Sequence, residues 1–115
     1  MKSSRRRLRC AALVCASWAC VTAALAADAP DPVALGRQLF TKGATPSCAV
    51  CHTLKDASAA GAVGPVLDEL KPDARRVAAA LRNGIGQMPS YKALLSEAQI
   101  QALAEYVAGA TAGSR

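Results

Sequence analysis

The chain has 115 residues, 52% of them hydrophobic but only 3% aromatic, with five cysteines, one histidine and a formal net charge of +6. This length leaves room for a single domain. The charge would point to nucleic acid or an anionic membrane, but its distribution excludes that reading. Lys2, Arg5, Arg6, Arg7 and Arg9 crowd the first nine positions, and an uncharged apolar run follows from Cys10 to Ala27. A basic start, an apolar stretch and the small residues of Ala24-Leu25-Ala26 have the layout of a secretory signal with an A-x-A processing site.

Residues 1–26 are therefore expected to be a cleaved signal peptide, with residues 27–115 forming the exported, periplasmic domain. The competing reading is a retained membrane helix, because about 18 apolar residues is near the lower limit for a bilayer span. The alanine-rich run and the processing site that follows it weigh against retention. Trp18 stands where a lipoprotein signal before Cys20 needs a small residue, and Arg9 departs from the twin-arginine pattern, so export in the unfolded state is expected. Without the first 26 residues the chain carries nine basic and eight acidic side chains, for a net charge of +1, and keeps only Cys48 and Cys51. Its aromatics are Phe40, Tyr91 and Tyr106. A domain this small and this poor in aromatics needs a disulfide, a metal or a cofactor to complete its core. A bridge between cysteines three positions apart closes too short a loop to remove much unfolded-state entropy.

The elements read as helices, with no convincing strand. Asp31-Pro32 pairs a capping residue with a proline at the first helical position, and Val33, Gly36, Leu39 and Phe40 share one face of a helix ending near Thr41. Lys55 to Gly64 reads as a loop. Pro72-Asp73 opens a second helix through Val77, Ala80 and Leu81, stopped by Asn83-Gly84. Ser96 and Gln99 form a capping box, and Leu95 and Ile100 a hydrophobic staple, for a last helix whose apolar face runs through Leu103, Tyr106 and Val107 to Gly109.

Cys48-Ala49-Val50-Cys51-His52 is C-x-x-C-H, the attachment signature of c-type haem. Two thiols one helical turn apart can each form a thioether with a vinyl group of one porphyrin, and the adjacent histidine then reaches the iron. Zinc usually takes four ligands, often as two separated pairs, whereas one cysteine pair and one histidine are present here. A thioredoxin-like pair should lie beside a strand in a βαβ pattern, which is missing. An isolated disulfide leaves His52 without a role. These residues resemble the haem motif of class I cytochromes c, whose fold is all-α, with helices wrapped around one covalently attached haem.

The resemblance implies further site residues. Met88 lies in Gly84-Ile85-Gly86-Gln87-Met88-Pro89, 36 residues beyond His52, in a segment similar to the family's methionine loop. It would be the second axial ligand, although a methionine in a small domain is by default core filler. Gly64-Pro65-Val66-Leu67 is similar to the family's Gly-Pro-x-Leu segment, in which the proline carbonyl accepts a hydrogen bond from the other imidazole nitrogen, here between Pro65 and His52. Gly36 and Phe40 against Leu103 and Tyr106 resemble the family's crossing pair of terminal helices. Arg82 and Tyr91 are candidates for contact with the haem propionates.

Iron held by His and Met has no vacant position for a substrate, so the expected function is electron transfer rather than catalysis. The run from Gly61 through Pro72-Asp73-Ala74-Arg75-Arg76-Val77 to Pro89 resembles the small cytochrome subunits of periplasmic sulfite dehydrogenases. This resemblance implies a molybdenum-containing sulfite-oxidising subunit as donor and a terminal oxidase or another cytochrome as acceptor, with no nucleic-acid partner and no stable membrane span once the signal is removed. Lys42, Lys55, Lys71, Arg75, Arg76, Arg82 and Lys92 could steer an acidic redox partner, or could simply form a solvated surface. Two other classes remain open from the residues alone: a gas-binding or peroxidase-like haem protein with an open axial site, and a haem-free secreted interaction module with a Cys48–Cys51 disulfide.

Overall fold

The computed structural model describes residues 29–113; the predicted signal segment lies outside them. Helix α1 (Pro32–Gln38) begins where the sequence places it. The Asp31 carboxylate accepts the Val33 N–H at 3.1 Å, and the proline sits in the first turn, where its missing N–H has no intrahelical partner to lose. The helical path then widens into one π-helical turn over Leu39–Gly43, closed by the Ala44 N–H reaching back to the Leu39 carbonyl at 3.2 Å. It therefore ends two residues later than predicted. The Ser47 hydroxyl bonds the Phe40 and Thr41 carbonyls at 3.0 and 2.9 Å, satisfying backbone acceptors at the end of the turn. Val33, predicted to share a face with Gly36, Leu39 and Phe40, is 56% exposed, whereas those three are buried.

Helix α2 (Cys48–Cys51) is a single turn, after which His52 continues in extended conformation. The predicted loop that follows contains a small antiparallel hairpin, β1 (Thr53–Leu54) with β2 (Ala59–Ala60), in the register Thr53 opposite Ala60 and Leu54 opposite Ala59. Helix α3 (Leu67–Leu70) ends on Lys71, whose left-handed backbone turns the chain into Pro72. Helix α4 (Ala74–Asn83) is capped by the Asp73 carboxylate on the Arg76 N–H at 2.7 Å and stops at Gly84, where φ is +70°. Helix α5 (Glu97–Ala112) carries the predicted capping box: the Gln99 N–H donates to Ser96 Oγ at 3.2 Å, and the Ser96 N–H to Gln99 Oε1 at 2.8 Å. It continues three residues past Gly109, burying Thr111.

Packing follows from these faces. Helices α1 and α5 cross at Gly36, where an added Cβ would lie 2.4 Å from both the Ala102 carbonyl oxygen and Tyr106 Cβ. Any larger residue would push the helices apart. Phe40 and Tyr106 meet edge to face beside this crossing, with ring centroids 6.1 Å apart at 66°. Helix α4 packs on the other side of α5, and Phe40, Leu54, Leu81, Ile100 and Leu103 are almost completely buried between the elements. Among the described residues no helix is long and apolar enough to cross a membrane.

Candidate haem site

Between these helices lies a cavity of about 910 Å³, bordered by Cys48, Cys51, His52, Pro65 and Met88. All five predicted site residues therefore reach one volume. Apolar side chains from the core complete the lining, among them Phe40, Leu67, Leu81, Leu103 and Val107. A largely apolar cleft with a few convergent polar groups is the usual form of a cofactor site, and this volume is near the upper end of the common range of about 300–1,000 Å³.

The histidine is held from two directions. The Cys51 carbonyl accepts the Gly64 N–H at 2.7 Å, drawing the returning chain across the imidazole. At this approach a Cβ on residue 64 would lie 2.5 Å from His52 Cε1, so only glycine fits. The Pro65 carbonyl then sits 2.9 Å from His52 Nδ1. A carbonyl can only accept, so Nδ1 carries the proton and Nε2 keeps the lone pair that a metal requires. Nearby, the buried Asp68 on α3 accepts the Lys55 N–H at 2.9 Å, binding the segments on either side of His52 and Pro65 together a second time.

The two thiols are free, Cys48 buried and Cys51 half-buried. Burial, partly offset by a backbone hydrogen bond and reinforced by Cys51, pushes the Cys48 thiol up to about 11, so it is protonated at neutral pH. Met88 lies in a tight reversal in which the N–H of Ile85 donates to the Met88 carbonyl at 3.1 Å and that of Met88 to the Ile85 carbonyl at 3.0 Å. Gly86, with φ of +56°, makes this turn.

Of the two propionate candidates, Arg82 does not border the cavity. It pairs with Glu97 at the surface, which raises the guanidinium and holds the Glu97 carboxyl below its ordinary 4.5. Tyr91 does line the cavity, but its hydroxyl donates to the Pro46 carbonyl at 2.7 Å. Arg76, which sequence reasoning named only as a surface charge, is the basic side chain on the cavity wall among the described residues. Its place, one turn into α4 on the cavity side, follows from helix phase once the face of Val77 and Ala80 is known. The described residues hold no cluster of three or more His, Cys, Asp or Glu side chains able to bind a metal by themselves. The donor set therefore fits a porphyrin-borne iron: two thiols, one imidazole of fixed tautomer and one thioether around an apolar cleft.

The sequence family described as cytochrome C oxidase, cbb3-type, subunit III matches residues 31–107. No curated protein matches the sequence. Among solved structures the chain is similar to the crystal structure of the c-type cytochrome SorU from Sinorhizobium meliloti, at 53% identity and a TM-score of 0.69. That match covers 70% of this chain and 92% of the other. The helical architecture is accordingly the predicted cytochrome c fold, and the chain belongs to this family of c-type cytochromes, as a haem c protein that transfers electrons.

Proposed function

We propose that residues 27–115 form an exported single-haem electron carrier, the electron-accepting subunit of a sulfite-oxidising system. In this reading Cys48 and Cys51 attach the haem covalently, and His52 and Met88 ligate the iron. The observation that carries it is the shared cavity, which gathers both thiols, the imidazole and the thioether within one apolar volume. When bound, haem c supplies a one-electron iron couple.

The residues of the chain tune and protect that couple. The Pro65 carbonyl fixes His52 with Nε2 available and increases the basicity of the ring. The soft thioether of Met88 favours ferrous iron and so raises the reduction potential. Phe40, Leu81, Leu103 and Val107 exclude water from one side of the cleft. Val63 and Ile85 border the same cavity while remaining 69% exposed, which gives a partner an apolar rim to contact. The sulfite assignment draws on the Gly61–Pro89 resemblance, in which a molybdenum subunit oxidises sulfite and passes electrons singly to the cytochrome. The predicted signal at residues 1–26 supports a periplasmic place for that exchange.

The test combines attachment, ligation and partner. Denatured holoprotein should keep its haem spectrum, as thioethers require. Met88→Ala should retain covalent haem, lose the methionine-to-iron charge-transfer band, gain carbon monoxide binding in the ferrous form and fall in midpoint potential. An unchanged potential would remove Met88 from the iron. Purified from native periplasm, the haem fraction should carry molybdenum and be reduced by sulfite; haem without molybdenum, unreduced by sulfite, would refute the partner assignment.

A further inference from the structure

The loop that carries Met88 has few anchors of its own: Met88 packs only partly buried against the core, and the Ser90 hydroxyl donates to the Arg82 carbonyl on α4 at 2.5 Å. Ile85, Gly86, Gln87, Pro89 and Ser90 are exposed, and the paired Ile85 and Met88 backbone bonds are internal to the loop, so they move with it. Exposed segments with few buried contacts open locally at low cost. The buried anchor follows, three residues after Met88. Tyr91 is 3% exposed, its N–H donates to the Leu81 carbonyl at 2.7 Å, and its own carbonyl accepts the N–H groups of Leu94 and Leu95 at 2.9 Å. These bonds tie the end of the loop to α4 and to the approach to α5. The phenol then reaches Pro46, 45 residues away and two before Cys48, and donates to its carbonyl at 2.7 Å.

We propose that Tyr91 is a positioning residue for Met88, its phenol clamping the methionine loop to the cysteine-bearing segment and so keeping the iron's second axial position closed to outside ligands. The proposal rests on the assignment of Met88 as axial ligand. Burial alone pushes the phenol upward, so it remains a donor across the working pH range. Loss of the hydroxyl removes a bond that joins two segments, not one within the loop, so on this proposal it acts on the opening equilibrium. One net hydrogen bond corresponds to about a fivefold change in that equilibrium.

Imidazole is the probe, because it binds ferric haem only when the methionine has left. Ferric holoproteins of wild type, Tyr91→Phe and Met88→Ala are titrated with imidazole, with urea unfolding measured in parallel. Phenylalanine keeps the ring volume, so the core is retained. Tyr91→Phe should keep the methionine band in the absence of imidazole yet bind imidazole about fivefold more tightly than wild type, while still binding less tightly than Met88→Ala. A lower urea midpoint with wild-type imidazole affinity would make the phenol merely structural and overturn the proposal. A wild type that lacks the methionine band and binds imidazole as readily as Met88→Ala would instead refute the axial assignment.

Discussion

Gly64→Ala probes the contact that orients the histidine. The Gly64 N–H is fixed to the Cys51 carbonyl at 2.7 Å, and the adjacent Pro65 carbonyl accepts from His52 Nδ1 at 2.9 Å. A methyl group at this position would lie 2.5 Å from His52 Cε1, 2.8 Å from Nδ1 and 3.0 Å from Nε2. Carbon atoms pack at about 3.5–4.0 Å, so ring and backbone must separate by about 1 Å. Either the imidazole turns and loses Pro65, or the backbone lifts and loses Cys51. Each route forfeits a net hydrogen bond of about 0.5–1.5 kcal/mol and adds overpacking of about 1–3 kcal/mol. The total of about 1.5–4.5 kcal/mol corresponds to roughly 6–36 °C in melting temperature for a domain of this size. Thermal melting of the holoprotein by circular dichroism reads this directly. The midpoint potential should rise if Pro65 is lost, because a less basic imidazole donates less to ferric iron. Gly86→Ala is the control: nothing lies within 4 Å of its Cβ, and the cost is the backbone strain at φ of +56°, about 1–2 kcal/mol. If Gly64→Ala melts no lower than Gly86→Ala and keeps the wild-type potential, the close-approach argument is refuted.

Gly36→Ala places a methyl 2.4 Å from the backbone of α5 and should destabilise the domain by about 1–3 kcal/mol or more, seen as a lower urea midpoint; a wild-type midpoint would mean the α1–α5 crossing is looser than described. Acid should weaken the link between α4 and the start of α5. Because Arg82 lowers the Glu97 carboxyl from its ordinary 4.5, the ion pair contributes above that value and is lost as pH falls through the depressed one. The pair is at the surface, so the effect should be small and vanish in high salt; Glu97→Gln measured by urea unfolding at pH 7 and in acid should converge with wild type at the lower pH.

What the sequence made legible was local. The caps at Asp31, Asp73 and Ser96 act on N–H groups two or three residues away, and C-x-x-C-H is a contiguous segment, so each could be placed without knowing the fold. The pairing of His52 with Pro65 spans 13 residues and depends on Gly64 crossing the ring; a Gly-Pro pair alone reads as a turn, and only the family resemblance singled it out. The π-helical turn depends on Ala44 closing on Leu39, with Ser47 occupying carbonyls six and seven residues back, which no propensity encodes. The hairpin was hidden because strands of two residues carry no readable alternation. Helix α5 outran Gly109 because Thr111 is buried, and tertiary burial outweighs the cost of one glycine.

The low aromatic content has a structural counterpart. Phe40 and Tyr91 border the cavity, and Leu81, Leu103 and Val107 belong at once to its wall and to the hydrophobic core. The same apolar faces that hold α1, α4 and α5 together would therefore also grip a haem in this cavity. Three aromatics suffice for the cytochrome c domain because the largest apolar body in its interior need not be encoded as side chains. Folding and haem binding should accordingly be linked: whatever binds only the folded state adds its binding free energy to stability. If His52 and Met88 hold the iron as proposed, then His52, Pro65 and Met88 cannot be divided cleanly into residues for stability and residues for function, because a substitution that loosens the iron would also loosen the core around it.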